Sequence, residues 1–386
     1  MRIRWTDIKN GESIEYSVEH DGEIQESYVA EHGWHKVSSP SPELIRKACF
    51  HRTVSEHPWG PLYWAVLRSV HETMSELCSI SHHDFERIFA RADVGPARKS
   101  AFAVDLVAEC NAARRIREGL LRHDYRGLTP MILGEESLPD QCLDVAALDK
   151  PVIVLDAADG TDELEQGFRE WCSAAVIYYP PENEILGAFV AVPGIGTYFA
   201  MGAVVGKCRF AGPSISSPEI FDLPRPQRVG GLEESLLAFY GQKPARLEAL
   251  YRNKNFLSLL RILRDSPRAR IRSQGGNPMM LKMIDAEGSR RVDAVFDLLG
   301  QAPHDMIPGA YIACRAGATL CDLRYQPIHL PSLLRRPADP LFRTPYICAS
   351  HPELAWDLCR YLGEPAALVP TTAFPPPLAA SQEACV

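Results

Sequence analysis

The 386-residue chain is missing the features that mark several large function classes. No apolar stretch approaches the roughly 20 residues of a membrane-spanning helix. No basic-then-apolar leader opens the sequence, so neither membrane insertion nor secretion is expected. Basic charge is also short: 41 Lys plus Arg stand against 49 Asp plus Glu, a net charge of −8. That balance argues against a nucleic-acid partner, whose phosphates need a basic surface. It leaves room for a small anionic ligand, because a bound cation inverts the local field. The eleven cysteines are scattered and contain no Cys-x-x-Cys pair. They read as reduced thiols packed as small hydrophobes in a cytoplasmic protein. No internal repeat is evident. What the chain has in quantity is apolar residues, 46%, enough for a sizeable core in one large or two closely packed domains.

Acidic residues in unusual company carry the chemistry. The run Val152-Ile153-Val154-Leu155 reads as a buried strand, and Asp156 follows where that strand is expected to end. An Asp there is unfavourable for both β-propensity and desolvation. A divalent cation is the economical compensation, since hard cations take carboxylate and phosphate oxygens. Glu135, Asp156, Asp159 and Asp305 would supply such a cage. Gly160 and Thr161 come directly after: a helix starting there offers backbone N–H groups to a phosphate, and Gly160 permits close approach. The same block also reads as an ordinary N-cap and turn.

Three blocks in order resemble the inositol monophosphatase family, the Mg²⁺-dependent, lithium-sensitive phosphatases that include fructose bisphosphatases and bisphosphate nucleotidases. They are Gly134-Glu135-Glu136-Ser137, Leu155-Asp156-Ala157-Ala158-Asp159-Gly160-Thr161, and Asp305-Met306-Ile307-Pro308-Gly309-Ala310 before Ala316-Gly317-Ala318. The similarity spans about 61–362. It implies a layered α/β sandwich, α-β-α-β-α. It also implies hydrolysis of a small phosphate monoester such as an inositol or sugar phosphate, with a nucleotide 3′-phosphate as the nearest variant. Carried over residue by residue, it implies that Glu135, Asp156 and the Ala158 carbonyl hold one Mg²⁺. Asp156, Asp159 and Asp305 would hold a second, Asp156 bridging. Thr161 with Glu135 would orient the attacking water. Asp159, Gly160, Thr161, Asp297 and Asp305 would face the substrate, and a homodimer is the family expectation.

Several positions stay open or depart from the pattern. Glu136 reads either as an orienting group or as a solvated neighbour. Asp297 reads either as a contact to substrate hydroxyls or as an exposed turn residue. Asn111 stands where the family usually has Asp, which puts a third Mg²⁺ in doubt, and Glu109 is expected to face elsewhere. His304 stands where Trp is usual and reads either as a group that reaches the substrate or, preferred, as packing or hydrogen bonding. Lys99 and His82-His83-Asp84 read as surface groups. These departures leave room for a non-catalytic protein that binds a phosphorylated ligand or a protein partner. The expected organisation is a hairpin extension and linker over 1–55, an α+β half over 56–230, an α/β half over 231–365, and a disordered tail over 366–386. Periodicity predicts helices over 61–77, 105–121, 245–265, 279–287 and 305–315. In the second, Val107, Cys110, Ile116 and Leu120 are expected on one buried face. His20-Asp21-Gly22 is expected to turn a hairpin, and residues 38–42 to form the linker.

Overall fold

Hydrophobic periodicity alternates between two and near four along the chain, and the elements follow it. The computed structural model describes residues 3–9, 12–19, 23–28, 34–80, 103–123, 125, 127–136, 144–210, 218–226, 230–241, 243–285, 291–337 and 343–363. The expectations for residues 20–22, His82-His83-Asp84, Lys99, Ser137 and the tail lie outside these residues.

Strands β1 (Ile3–Lys9), β2 (Glu12–Val18), β3 (Ile24–Tyr28) and β4 (His35–Lys36) form a four-stranded antiparallel sheet. Helices α1 (Pro42–Glu56), α2 (Gly60–Cys78) and α3 (Ala103–Arg122) follow. A seven-stranded sheet comes next: β5 (Met131–Gly134), β6 (Val152–Asp159), β7 (Cys172–Tyr179), β8 (Glu184–Val192), β9 (Gly196–Met201), β10 (Val204–Arg209) and β11 (Glu219–Phe221). Its spatial order is β11-β10-β9-β8-β7-β6-β5, and the short helix α4 (Thr161–Glu165) lies between β6 and β7. The remaining elements alternate: β12 (Leu236–Phe239), α5 (Pro244–Arg252), α6 (Lys254–Arg264), β13 (Arg270–Arg272), α7 (Asn277–Ile284), β14 (Ala294–Gln301) and α8 (Pro303–Arg315). The chain continues through β15 (Thr319–Cys321), α9 (Leu330–Leu333), β16 (Thr344–Ala349) and α10 (Pro352–Leu362). The second sheet is ordered β13-β12-β14-β16-β15.

Parity along β6 shows how the layers stack. Val152 and Val154 belong to a core shared with Met280 and Met283 of α7 and Ile307 and Ala310 of α8. Ile153 and Leu155 belong to a different core, with Val66 and Val70 of α2 and Ala112 and Ile116 of α3. A strand buried on both faces needs apolar residues at both parities, which is why its sequence shows a continuous run rather than alternation. Helices α6 and α10 cover the far face of the five-stranded sheet, where Phe256, Leu259 and Leu358 meet Leu237 and Phe296. The result is the expected α-β-α-β-α layering. The amino-terminal sheet packs Trp5, Ile14, Tyr16 and Val18 on Ala48 of α1.

Several sequence expectations need correction. Residues 245–265 are two helices, because the Asn253 side chain accepts the Asn255 and Phe256 amides and starts a new one. The helix expected over 279–287 spans Asn277–Ile284. Val107 and Cys110 are exposed on α3, whereas Val104, Ala108, Ala112, Ile116 and Leu120 are buried. The expected linker ends by starting α1: Ser41 Oγ accepts the Leu44 amide and Pro42 takes the first turn. Every described cysteine is free. No helix among the described residues is long and apolar enough to cross a membrane.

Candidate active site

The site forms where β5 and β6 end against α7 and α8. Parallel pairing sets Gly134 opposite Leu155, and the Glu135 amide donates to the Leu155 carbonyl at 3.0 Å. Glu135 thus leaves the sheet beside Asp156. Strand β6 does not stop at Asp156, contrary to expectation. It continues to Asp159 through a bulge: Asp156 pairs with Ala174, but Asp159, three residues on, pairs with Cys172, two residues back. Without the bulge a spacing of three would send the two carboxylates to opposite faces of the sheet. With it, both share the face that holds α7 and α8, and Asp305 arrives there on the first turn of α8.

Carboxyl oxygens of Asp156, Asp159 and Asp305 lie within 4.8 Å of one another, and so do ligand atoms of Glu135, His304 and Asp305. Asp156 is only 3% exposed. Its Oδ1 accepts the Ala158 amide at 3.1 Å, but its buried Oδ2 has no hydrogen-bond partner. Burial first, then the charges of Glu135, Asp159 and Asp305, hold the Asp156 carboxyl well above its usual range. Burial, with Asp305 next, pushes Asp159 up to about 8. Burial and the neighbouring Glu135 push Glu136 up to about 7. Clustered oxygen donors around an orphaned buried oxygen fit a hard divalent cation.

His304 puts positive charge into this cluster. Its Nε2 lies 3.2 Å from Asp305 Oδ1 and 3.6 Å from Glu135 Oε1. Burial alone would lower its pKa; Asp305 and Glu135 outweigh that and push it up to about 9. Of the two preferred uses, packing or hydrogen bonding, these contacts show polar pairing.

Gly160 adopts φ +93°, a left-handed conformation that favours glycine, and α4 starts at Thr161 as little more than one turn. Thr161 Oγ1 lies 2.7 Å from Asp105 Oδ1 and 2.9 Å from the Ala158 carbonyl. Asp105 stands on the first turn of α3, and nothing in its local sequence marks it for this contact. Asn111 itself faces away, donating to Glu76 Oε1 at 3.1 Å. Glu109, expected to face elsewhere, is buried, and its Oε2 accepts the Glu136 amide at 2.8 Å.

Asp297 stays out of the cluster. It is a buried ion-pair residue rather than an exposed turn: Arg246 Nη2 donates to both its oxygens at 2.7 and 2.6 Å, and the Leu299 amide to Oδ1 at 2.8 Å. Sequence reasoning also missed Asn277, whose side chain touches Asp159 at 3.0 Å.

No protein-family model matches the sequence, and no curated protein matches it. Solved structures do. The Thermotoga maritima IMPase TM1415 gives a TM-score of 0.50 at 15% identity, over 78% of this chain and 99% of that one. An inositol monophosphatase II from Staphylococcus aureus MSSA476 gives 0.48 at 16% identity, over 78% and 93%. The extragenic suppressor protein suhB from Bartonella henselae gives 0.44 at 15%, over 78% and 98%. With the layering and sheet order described above, the chain has the inositol monophosphatase fold.

Proposed function

We propose that the protein is a Mg²⁺-dependent phosphatase that hydrolyses a small phosphate monoester, of the inositol or sugar phosphate class. The observation that carries this reading is the buried Asp156 Oδ2, without a partner at the centre of converging carboxylates from β6 and α8. Glu135, Asp156, Asp159, Asp305 and the Ala158 carbonyl would hold the cations. When bound, divalent cations would neutralise phosphoryl charge and acidify the attacking water. The protein's own part is orientation. Thr161 Oγ1, donating its proton to Asp105 Oδ1, keeps a lone pair for the attacking water. The backbone at Gly160 and Thr161 offers N–H donors to phosphoryl oxygens.

The test is phosphate release from a broad panel of phosphate esters, with Mg²⁺ and with a chelator. Release that needs Mg²⁺ and disappears in Asp156→Asn is the expected result. No release from any ester at saturating Mg²⁺ overturns the reading. His304 favours a second one, because an imidazolium held between Glu135 and Asp305 supplies positive charge without a metal. A non-catalytic phosphate-binding protein would be stabilised to heat by members of the same panel without turning them over.

A further inference from the structure

Helix α8 carries Pro308 in its interior. Proline has no N–H, so the carbonyl four residues earlier, that of His304, loses its helical partner. A buried carbonyl needs another donor. The donor is the Asn277 side chain at the start of α7, fully buried at 0% exposure. Its Nδ2 lies 3.0 Å from the His304 carbonyl and 3.0 Å from Asp159 Oδ2, and its Oδ1 accepts the Gly309 amide at 2.7 Å. One amide therefore completes the broken turn that bears His304 and Asp305 and binds the carboxylate of Asp159 on β6. Gly309 makes room for this: a Cβ there would come within 2.8 Å of the Asn277 Cα. The Cys172 thiol donates to the same Asp159 oxygen at 3.5 Å. With two donors on Oδ2, Oδ1 is the Asp159 oxygen that would be left for a cation.

We infer that Asn277 is a positioning residue for the cation site, fixing Asp159 directly and Asp305 through the Pro308 turn, so that it sets the site's affinity for divalent cations. This rests on the proposed metal-dependent reading. Partners that orient ligands in this way typically change metal affinity about 10–100-fold when removed.

The experiment is calorimetric titration of the chelator-treated full chain with Mg²⁺ and with Mn²⁺, without substrate. Asn277→Ala is expected to weaken binding about 10–100-fold. Asn277→Asp keeps the acceptor for the Gly309 amide but loses both donated bonds, and is expected to weaken binding similarly even if Asn277→Ala folds poorly. Pro308→Ala restores an N–H to α8, so Asn277→Ala in that background should lose less affinity than in the natural chain. Asn255 is a matched control: it ties α6 to the Leu362 and Gly363 carbonyls, away from the cluster. Asn255→Ala should lower the melting temperature and leave cation affinity unchanged. The inference is overturned if Asn277→Ala and Asn277→Asp bind like the natural protein, or if Asn255→Ala weakens binding as much. If the natural protein binds neither cation, the metal-dependent reading falls as well. Binding that is normal in every variant sinks the role of Asn277 alone.

Discussion

Asp156 predicts two opposite effects from one substitution. Its Oδ2 is buried without a partner and its charge is opposed by four carboxylates, those of Glu135, Asp159, Asp305 and Asp105. In the presence of a chelator, Asp156→Asn should therefore stabilise the fold by about 1–3 kcal/mol, the range for relieving an unsatisfied buried group. The same variant should lose the stabilisation that Mg²⁺ confers and release almost no phosphate. Urea unfolding with and without Mg²⁺ reads both; destabilisation in chelator would count against the account of Asp156. Residue 111 shows where reading by sequence offset fails. Counting along the chain made Asn111 the departure of interest, yet it is bonded to Glu76 and Asp105 meets Thr161. Asn111→Asp is expected to leave the Mg²⁺ dependence of turnover unchanged. Asp105→Asn should lower kcat by about 10²–10⁴, as loss of a positioned proton acceptor does. A Mg²⁺ titration of phosphate release from both variants decides it, and equal behaviour would remove Asp105 from the site.

The elements explain why the clustered carboxylates were legible and their supports were not. Asp156 stands out in sequence because a carboxylate at the end of an apolar run is rare without compensation, while Glu135, Asp159 and Asp305 stand out through the motif blocks that hold them. The layered arrangement came from the resemblance of three motif blocks, whereas apolar runs and 3.6-residue periods marked only single elements, such as β6 and α2. The bulge in β6 left no such trace, since an extra residue in a ladder depends on pairing with a distant partner, Cys172. Asn277 was equally hidden, although Pro308 announced an unpaired carbonyl. Asp297 was misread because its partner lies on another element. Arg246 of α5 clamps the β14 carboxylate, with side-chain exposures of 14% and 1%. Burial outweighs the pull of Arg246 and pushes Asp297 up to about 6. Removing only one member leaves a buried charge alone, so Arg246→Ala should destabilise by about 3–5 kcal/mol. The apolar pair Arg246→Met with Asp297→Leu should recover most of that in chemical denaturation. A double variant no more stable than Arg246→Ala would mean that the pair does more than hold α5 on the sheet.

For the whole molecule, the strained groups at the junction of the two sheets share one sign. Asp159 binds its proton up to about pH 8 in the folded chain against a usual 3.8, so between those values the folded state holds a proton the unfolded state has released. His304 does the same between 6.5 and about 9. Where the folded state binds more protons, stability falls as pH rises. Stability from His304 is full below 6.5 and lost through about 9; the Asp159 contribution declines from about pH 4 to 8. The metal-free protein is therefore expected to melt at steadily lower temperature from pH 5 to pH 9, unlike a protein whose carboxylates are depressed by ion pairs. Cation binding needs those carboxylates deprotonated, so saturating Mg²⁺ should flatten the slope or reverse it, with the largest stabilisation at the alkaline end. Melting curves across that range, in chelator and in Mg²⁺, separate the alternatives at the scale of the fold. Parallel curves with and without Mg²⁺ would show that cation binding is not linked to these protons. Divergence that grows with pH is the signature of carboxylates held together by the layered sheets and discharged by the ion they face.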